Sequence, residues 1–216
     1  MQASWIVQKI LKAAEYMEEA GIQEEEIKKM AKFNMHMIYR KLQGEFQKCT
    51  WKRLICNNYA IPRWKFILFL ALHDRLQTRD RVAKWSLVED SSCTMCEEDP
   101  ETIEHLFFGC TMTEQIWSNI LKWQGIKRRA KGWAEEVRWA EMNVKGKSAK
   151  SHMYRICLAA CVYHIWHKRN MRVFQQKIRS KEEVLRAIAQ EIHYCGSKYR
   201  KLDKTLQEMK SYPRFE

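Results

Sequence analysis

The sequence predicts an all-α protein, and three observations carry that reading. Its 216 residues hold only seven glycines and three prolines, too few turn formers for a multistranded sheet. Ala, Leu, Ile, Met, Glu, Lys and Arg dominate the long periodic stretches, as good helix formers do. A hydrophobic share of 46% is enough to bury a core and excludes a disordered tail.

Trp5, Ile6, Ile10, Ala13, Ala14 and Met17 recur at helical spacing and stop at Gly21, which suits a C-terminal cap. A second helix is predicted over Glu24 to Leu42, with carboxylates in its first turn where the helix dipole favours them. Pro62 fits a first helical turn, and Trp64 to Leu76 continues from it. Thr78 and Asp80 suit the cap and first turn of a short helix through Trp85. A polar loop then runs from about Ser91 to Cys110, and Thr113 to Trp123 resumes the helical pattern. Glycine, lysine and asparagine between Gly125 and Lys150 suggest a connection around a short helix from Trp133 to Trp139. Two long helices close the chain, Ser151 to Gln176 and Ser180 to about Met209, the second opened by Ser180, Glu182 and Glu183.

The longest apolar runs, Phe66 to Leu72 and Ile156 to Trp166, fall short of the roughly 20 residues that span a bilayer. No membrane partner is expected, and the N-terminus lacks the small-residue cleavage site of a secretory signal. The expected setting is intracellular, nuclear or cytoplasmic, and reducing. Three of the eight cysteines crowd between residues 93 and 110 with a histidine among them, which in such a compartment favours metal over disulfide. The other five, Cys49, Cys56, Cys157, Cys161 and Cys195, read as free thiols.

Cys93, Cys96, His105 and Cys110 follow a C-x2-C-x8-H-x4-C spacing. Two thiolates of one tight turn can reach the same ion, and His105 and Cys110 can complete a tetrahedron. Four protein ligands leave no open position for water, so one structural Zn2+ is predicted. The Ser91 to Glu101 loop has little else to bury, and metal binding is then folding free energy for it. The fold class is therefore all-α, a helical protein with a zinc-stabilised Cys3His loop between helices. Cys157, Cys161 and His164 share one helical face, with His167 one turn further, and could make a second metal site, but a helix packing small cysteines and a histidine into a core explains the same residues and is the favoured reading.

Several stretches carry a family likeness. Trp51 to Ile55, Tyr59 to Ala71, Arg75 to Trp85, the ligand-bearing segments Cys93 to Cys96 and Glu101 to Cys110, Ile116 with Trp117, and Ile165 to Phe174 resemble the zinc-binding C-terminal region of plant non-LTR (LINE-type) retrotransposon reverse transcriptases. The likeness runs from about Lys41 to Phe174. It departs at Phe69, where such sequences usually carry tryptophan, and at Ser86, where glycine is common. The resemblance implies a detached or domesticated fragment of a polymerase tail, with a zinc-knuckle-like site. It brings no polymerase, because the five aspartates Asp74, Asp80, Asp90, Asp99 and Asp203 include no adjacent pair and no Tyr-x-Asp-Asp turn. No enzymatic activity is expected.

The formal net charge is +13, and residues 138–179 hold ten Lys or Arg against one acid, a surplus of 9. Lys145, Lys147, Lys150, Arg155, Lys168, Arg169, Arg172, Lys177 and Arg179, with Trp166 for stacking, are the expected contacts to RNA or DNA. A solvated basic helix face is the competing reading, and a protein partner the competing function. Lys127, Arg128, Arg129 and Lys131 form a smaller basic cluster, and Arg75, Arg79, Arg81 and Lys84 another. The expected organisation is an N-terminal helical extension over 1–50, a zinc-binding domain over 51–124, a mobile basic connection over 125–150, and a pair of long helices over 151–216.

Overall fold

The computed structural model of the chain describes residues 4–19, 21–23, 25, 28–29, 35–44, 49–56, 58–85 and 90–209. It divides into two compact units, Met1–Cys49 and Thr50–Glu216. Among the described residues there is no strand, only one antiparallel bridge between Ser92 and Pro100. No helix among them is long and apolar enough to cross a membrane.

In the first unit, α1 (Trp5–Glu19) ends at Gly21 as expected. Gly21 takes a φ of 68°, its N–H donates to Glu18, and the Ile22 N–H reaches back to Met17. This is the paired closure that glycine permits after a helix, with Ile22 buried beneath it. Helix α2 (Met35–Gln43) covers the end of the expected Glu24 to Leu42 helix, and residues 24, 26–27 and 30–34 of that stretch lie outside the described residues.

The second unit is built around one helix. After α3 (Lys52–Cys56), α4 (Pro62–Leu72) starts with proline at its first position, and Thr78 precedes the short α5 (Arg79–Ala83). Beyond the polar loop come α6 (Thr111–Trp123), α7 (Trp133–Asn143), α8 (Ala149–Gln175), α9 (Lys181–Gly196) and α10 (Arg200–Glu208). Every residue from Ile156 to Val162 of α8 is fully buried, so this helix is apolar around its whole circumference and runs through the core. Trp64, Leu68 and Ala71 of α4, Ile116, Trp117 and Ile120 of α6, and Leu185, Ile188 and Ile192 of α9 pack around it at helical spacings.

Three boundaries differ from expectation for physical reasons. Helix α8 begins at Ala149 because Ser148 is its cap, its hydroxyl accepting the Ser151 N–H at 3.2 Å. The expected single helix from Ser180 to Met209 opens with a Ser180–Glu183 capping box but breaks after Gly196. A Cβ on Gly196 would lie 2.5 Å from Leu206 Cδ1, so glycine lets α10 turn back and bury Leu202 and Leu206. The segment 125–150, expected as a mobile connection, contributes Trp133, Ala140 and Val144 to the same core. Glu136 of α7 is fully buried, accepting Arg128 at 2.9 and 2.5 Å and the Tyr154 hydroxyl at 2.5 Å. Burial, and then the Glu136 charge, push the Tyr154 phenol well above its ordinary range.

Candidate metal centre

Cys93 and Cys96 sit in the turn of a short hairpin. The Cys93 N–H donates to the Asp99 carbonyl at 2.7 Å and the Glu101 N–H to the Ser91 carbonyl at 2.8 Å, on either side of the Ser92–Pro100 bridge. At the tip, Glu97 has a φ of 64° and its N–H returns to the Cys93 carbonyl at 2.7 Å. The Met95 N–H points at Cys93 Sγ from 3.4 Å, a donor to sulfur charge.

His105 and Cys110 flank a wide turn in which Phe107 and Phe108 leave the helical conformation. Phe108 has a φ of 78°, a strain of about 1–3 kcal/mol that its surroundings must hold. Its N–H donates to Thr113 Oγ1 at 3.2 Å, its ring stacks on Trp117 at 5.2 Å, and Leu106, Phe107 and Phe108 are all buried. Gly109 is required on close approach, since a Cβ there would stand 2.8 Å from the Glu104 carbonyl oxygen. The Cys110 N–H then closes onto the His105 carbonyl at 2.6 Å, bringing the two ligands to one side.

The ligand atoms of Cys93, Cys96, His105 and Cys110 all lie within 4.8 Å of one another, and Cys96 Sγ is 3.2 Å from His105 Nε2. Tetrahedral zinc with sulfur at about 2.3 Å and nitrogen at about 2.0 Å needs neighbouring donors about 3.5–3.8 Å apart. The donor set and its spacing fit that ion. Cys93 and Cys110 are buried, with their thiols beside one another. Cys110 is drawn down to about 5 chiefly by the hydrogen bond from the Cys93 thiol. Cys93 is pushed up by that bond and by burial. Cysteine binds a metal as thiolate, so a dication held by these residues would displace the thiol protons. His105 presents Nε2 to the thiolates, and Asp99 Oδ2 stands 3.7 Å behind its Nδ1, the carboxylate–histidine arrangement that orients a metal-bound imidazole. Among the described residues this is the one such group of metal-ligating side chains, and it makes a single zinc site.

Helix α8 grips the hairpin through ionic contacts of Arg169 and Arg172, two of the expected nucleic-acid contacts. Glu101, fully buried, receives Arg169 Nη2 at 2.6 Å and Nε at 2.9 Å, with the Arg79 N–H at 3.0 Å and the Thr94 hydroxyl at 3.2 Å. One turn on, Arg172 donates to the Met95 carbonyl at 3.3 Å and to Glu97 at 2.7 Å. Glu104 accepts the Ala134 N–H at 3.0 Å, joining the ligand turn to the start of α7. Thus three acids of this region have partners within the protein, Glu101 in the core and Glu97 and Glu104 at the surface.

The ten expected nucleic-acid contacts divide accordingly. Arg155, Lys168 and Arg169 are 1%, 2% and 4% exposed, so these three are corrected from surface contacts to core groups. Arg155 Nη2 donates to the Val144 carbonyl at 2.9 Å and to the Gly146 carbonyl, holding the chain that enters α8. Lys168 Nζ lies 3.1 Å from Met112 Sδ, and burial pulls its ammonium down. Trp166 is half-buried under the Arg169 guanidinium, 5.0 Å from the ring. Arg172 is half-buried on the hairpin, whereas Lys145, Lys147, Lys150, Lys177 and Arg179 are exposed. The signal for the buried set lay in the helical period. Leu158, Val162, Ile165 and Arg169 fall at four- and three-residue steps along one face, so Arg169 continues an apolar stripe.

The weaker constellations resolve as packing. Cys157 and Cys161 are fully buried, and burial raises both thiols. His164 is buried with Nε2 3.6 Å from Glu191, and burial lowers it to about 4. In the basic clusters, Arg128 pairs with Glu136, Arg79 with Asp90 at 3.0 Å and Arg81 with Asp74 at 3.3 Å. Phe69 packs edge-on against Trp51 at 6.1 Å, and Ser86 lies outside the described residues.

Residues 33–117, which include all four ligands, match the family model described as zinc-binding in reverse transcriptase. The match is to the zinc-binding domain and not to the catalytic one. No curated protein and no solved structure matches the chain.

Proposed function

We propose that the chain, whose residues 33–117 match the zinc-binding domain of reverse transcriptase, is a non-catalytic module that binds RNA or single-stranded DNA, derived from a retrotransposon reverse transcriptase tail. The observation that supports this most is the exposure of Lys145, Lys147 and Lys150 together at the start of α8, on a chain of net charge +13. Lys177 and Arg179 lie beyond the opposite end of a helix of 27 residues, about 40 Å away at 1.5 Å per residue. The two clusters are separate surfaces, and the first is the larger. Zinc shapes the fold in this reading, since four protein ligands leave no coordination site for a substrate. A nuclear or cytoplasmic location accompanies it.

The test is fluorescence anisotropy of a labelled single-stranded oligonucleotide across a salt series, with purified zinc-loaded protein. Binding that weakens steeply with salt supports the proposal. Changing Lys145, Lys147 and Lys150 to glutamate should flatten the slope by about 0.7 for each phosphate that is no longer neutralised. No binding at low salt overturns it. A protein partner is the second reading, favoured by Trp5, Ile6 and Val7, which are 70%, 62% and 44% exposed along the first turn of α1. Stable co-purification with one protein after nuclease treatment would support that alternative.

A further inference from the structure

We infer that the cleft between the chain segment after α3 and the α9–α10 junction is the subsite that holds an unpaired nucleotide, with Tyr199 as the stacking surface and Lys147, Lys198, Arg200 and Lys201 as the phosphate contacts. This deepens the nucleic-acid reading and rests on it. The cleft has a volume of about 630 Å3, within the range of built ligand sites, and no acid lines it. All four of its basic side chains are exposed.

Its floor is aromatic. Tyr59 stacks on His152 at 4.4 Å with planes 27° apart, and on Tyr199 at 4.4 Å with planes 23° apart. Two rings that close and that nearly parallel cannot share one face, so His152, Tyr59 and Tyr199 form a pile with Tyr59 in the middle. Tyr199 is at its end and 38% exposed. A base laid on Tyr199 extends an ordered stack, so little side-chain freedom is lost on binding. Tyr199 also precedes α10, whose N-terminal dipole adds positive potential beside Arg200 and Lys201. Lys147 belongs to the exposed Lys145–Lys150 cluster, so a strand leaving the cleft continues onto that surface.

The experiment uses the full zinc-loaded chain and a labelled oligo-uridine. Cys56 lines the cleft and is exposed, whereas Cys49 is exposed and outside its lining. Oligo-uridine should slow thiol modification of Cys56 and leave Cys49 unchanged. Tyr199→Ala should weaken binding about tenfold or more, the loss expected for one base stack, and Tyr199→Trp should restore it. Should Tyr199→Ala disturb α10, Lys198→Glu with Lys201→Glu tests the same cleft from exposed positions, with zinc content and melting temperature as checks on folding. Unimpaired binding by the charge-reversed variant, with Cys56 as reactive as before, overturns the cleft while leaving the nucleic-acid reading intact. Equal protection of Cys56 by inorganic phosphate alone also overturns it, since no base is then recognised. Failure of the wild type to bind any oligonucleotide fells both.

Discussion

Arg169→Met tests whether the zinc hairpin is held by a charge pair inside the protein. Arg169 is 4% exposed and Glu101 is fully buried, and three hydrogen bonds of 2.6, 2.9 and 3.1 Å join them. Methionine keeps much of the side-chain volume, so the substitution mainly removes charge. Glu101 would retain the Arg79 N–H and the Thr94 hydroxyl but no cation. Breaking a buried pair in this way costs about 3–5 kcal/mol, because the remaining charge stays desolvated. At about 2–4 °C per kcal/mol for a protein of this size, the melting temperature should fall by roughly 6–20 °C. Thermal unfolding by circular dichroism measures this, and transfer of zinc to a chromogenic chelator should quicken in the same variant. Adding Glu101→Leu should recover much of the loss, since an apolar pair leaves no orphaned carboxylate. If Arg169→Met melts with the wild type and holds zinc as tightly, Glu101 does not need that cation and the clamp is refuted.

Cys96→Ala or His105→Ala should lower zinc content by elemental analysis and unfold the hairpin, whereas Cys195→Ala should leave zinc at one per chain. Gly109→Ala should destabilise by about 1–3 kcal/mol, because its Cβ meets the rigid Glu104 carbonyl at 2.8 Å. Gly132→Ala should cost less, since the obstructing atom is the movable Glu104 carboxylate at 2.7 Å. His164 has a further signature in acid. Burial lowers it to about 4 from an ordinary 6.5, so between those values the unfolded chain binds the additional proton and stability falls as pH falls. The full difference is about 3 kcal/mol. His164→Leu should remove that part of the pH slope; an identical slope between pH 7 and 5 in both proteins would count against a buried neutral imidazole. Titration of the zinc ligands is common to both and cancels in the comparison.

The helices were legible where burial and local signals agree. Pro62, Thr78, Ser180 and Gly21 each mark an end that the structure places within a few residues, because caps and left-handed turns act through neighbouring backbone groups. The four zinc ligands were legible for the same reason: two come from one turn and two from the next. What escaped was long-range. Nothing local to Gly196 announces that Leu206 will pack on it, and nothing near Trp133 distinguishes a buried anchor from a residue in a connection. Tyr59 and Tyr199 are 140 positions apart in the chain, so their stack is invisible until the fold brings them together.

Charge was the least legible quantity, since a net count does not distinguish surface from interior. Of the basic residues between 138 and 179, Arg155, Lys168 and Arg169 lie in the core and Arg172 is taken up by Glu97. Those interior cations still have a consequence for function, because Arg169 and the zinc ligands hold the same hairpin at different points, Arg169 at Glu101 and the metal at Cys93 and Cys96. Loss of metal loosens Ser91 to Glu101, and as Glu101 withdraws it leaves a guanidinium unpaired inside α8. The reverse also holds: without Arg169, the backbone that presents Cys93 and Cys96 loses one of its anchors, while Arg172 remains. Metal affinity and core stability are therefore linked, so the effects of chelation and of Arg169→Met should be less than additive in a double-perturbation cycle. Independent effects would mean that the hairpin keeps its place on α8 through its other contacts, those of Arg172 with Met95 and Glu97 among them.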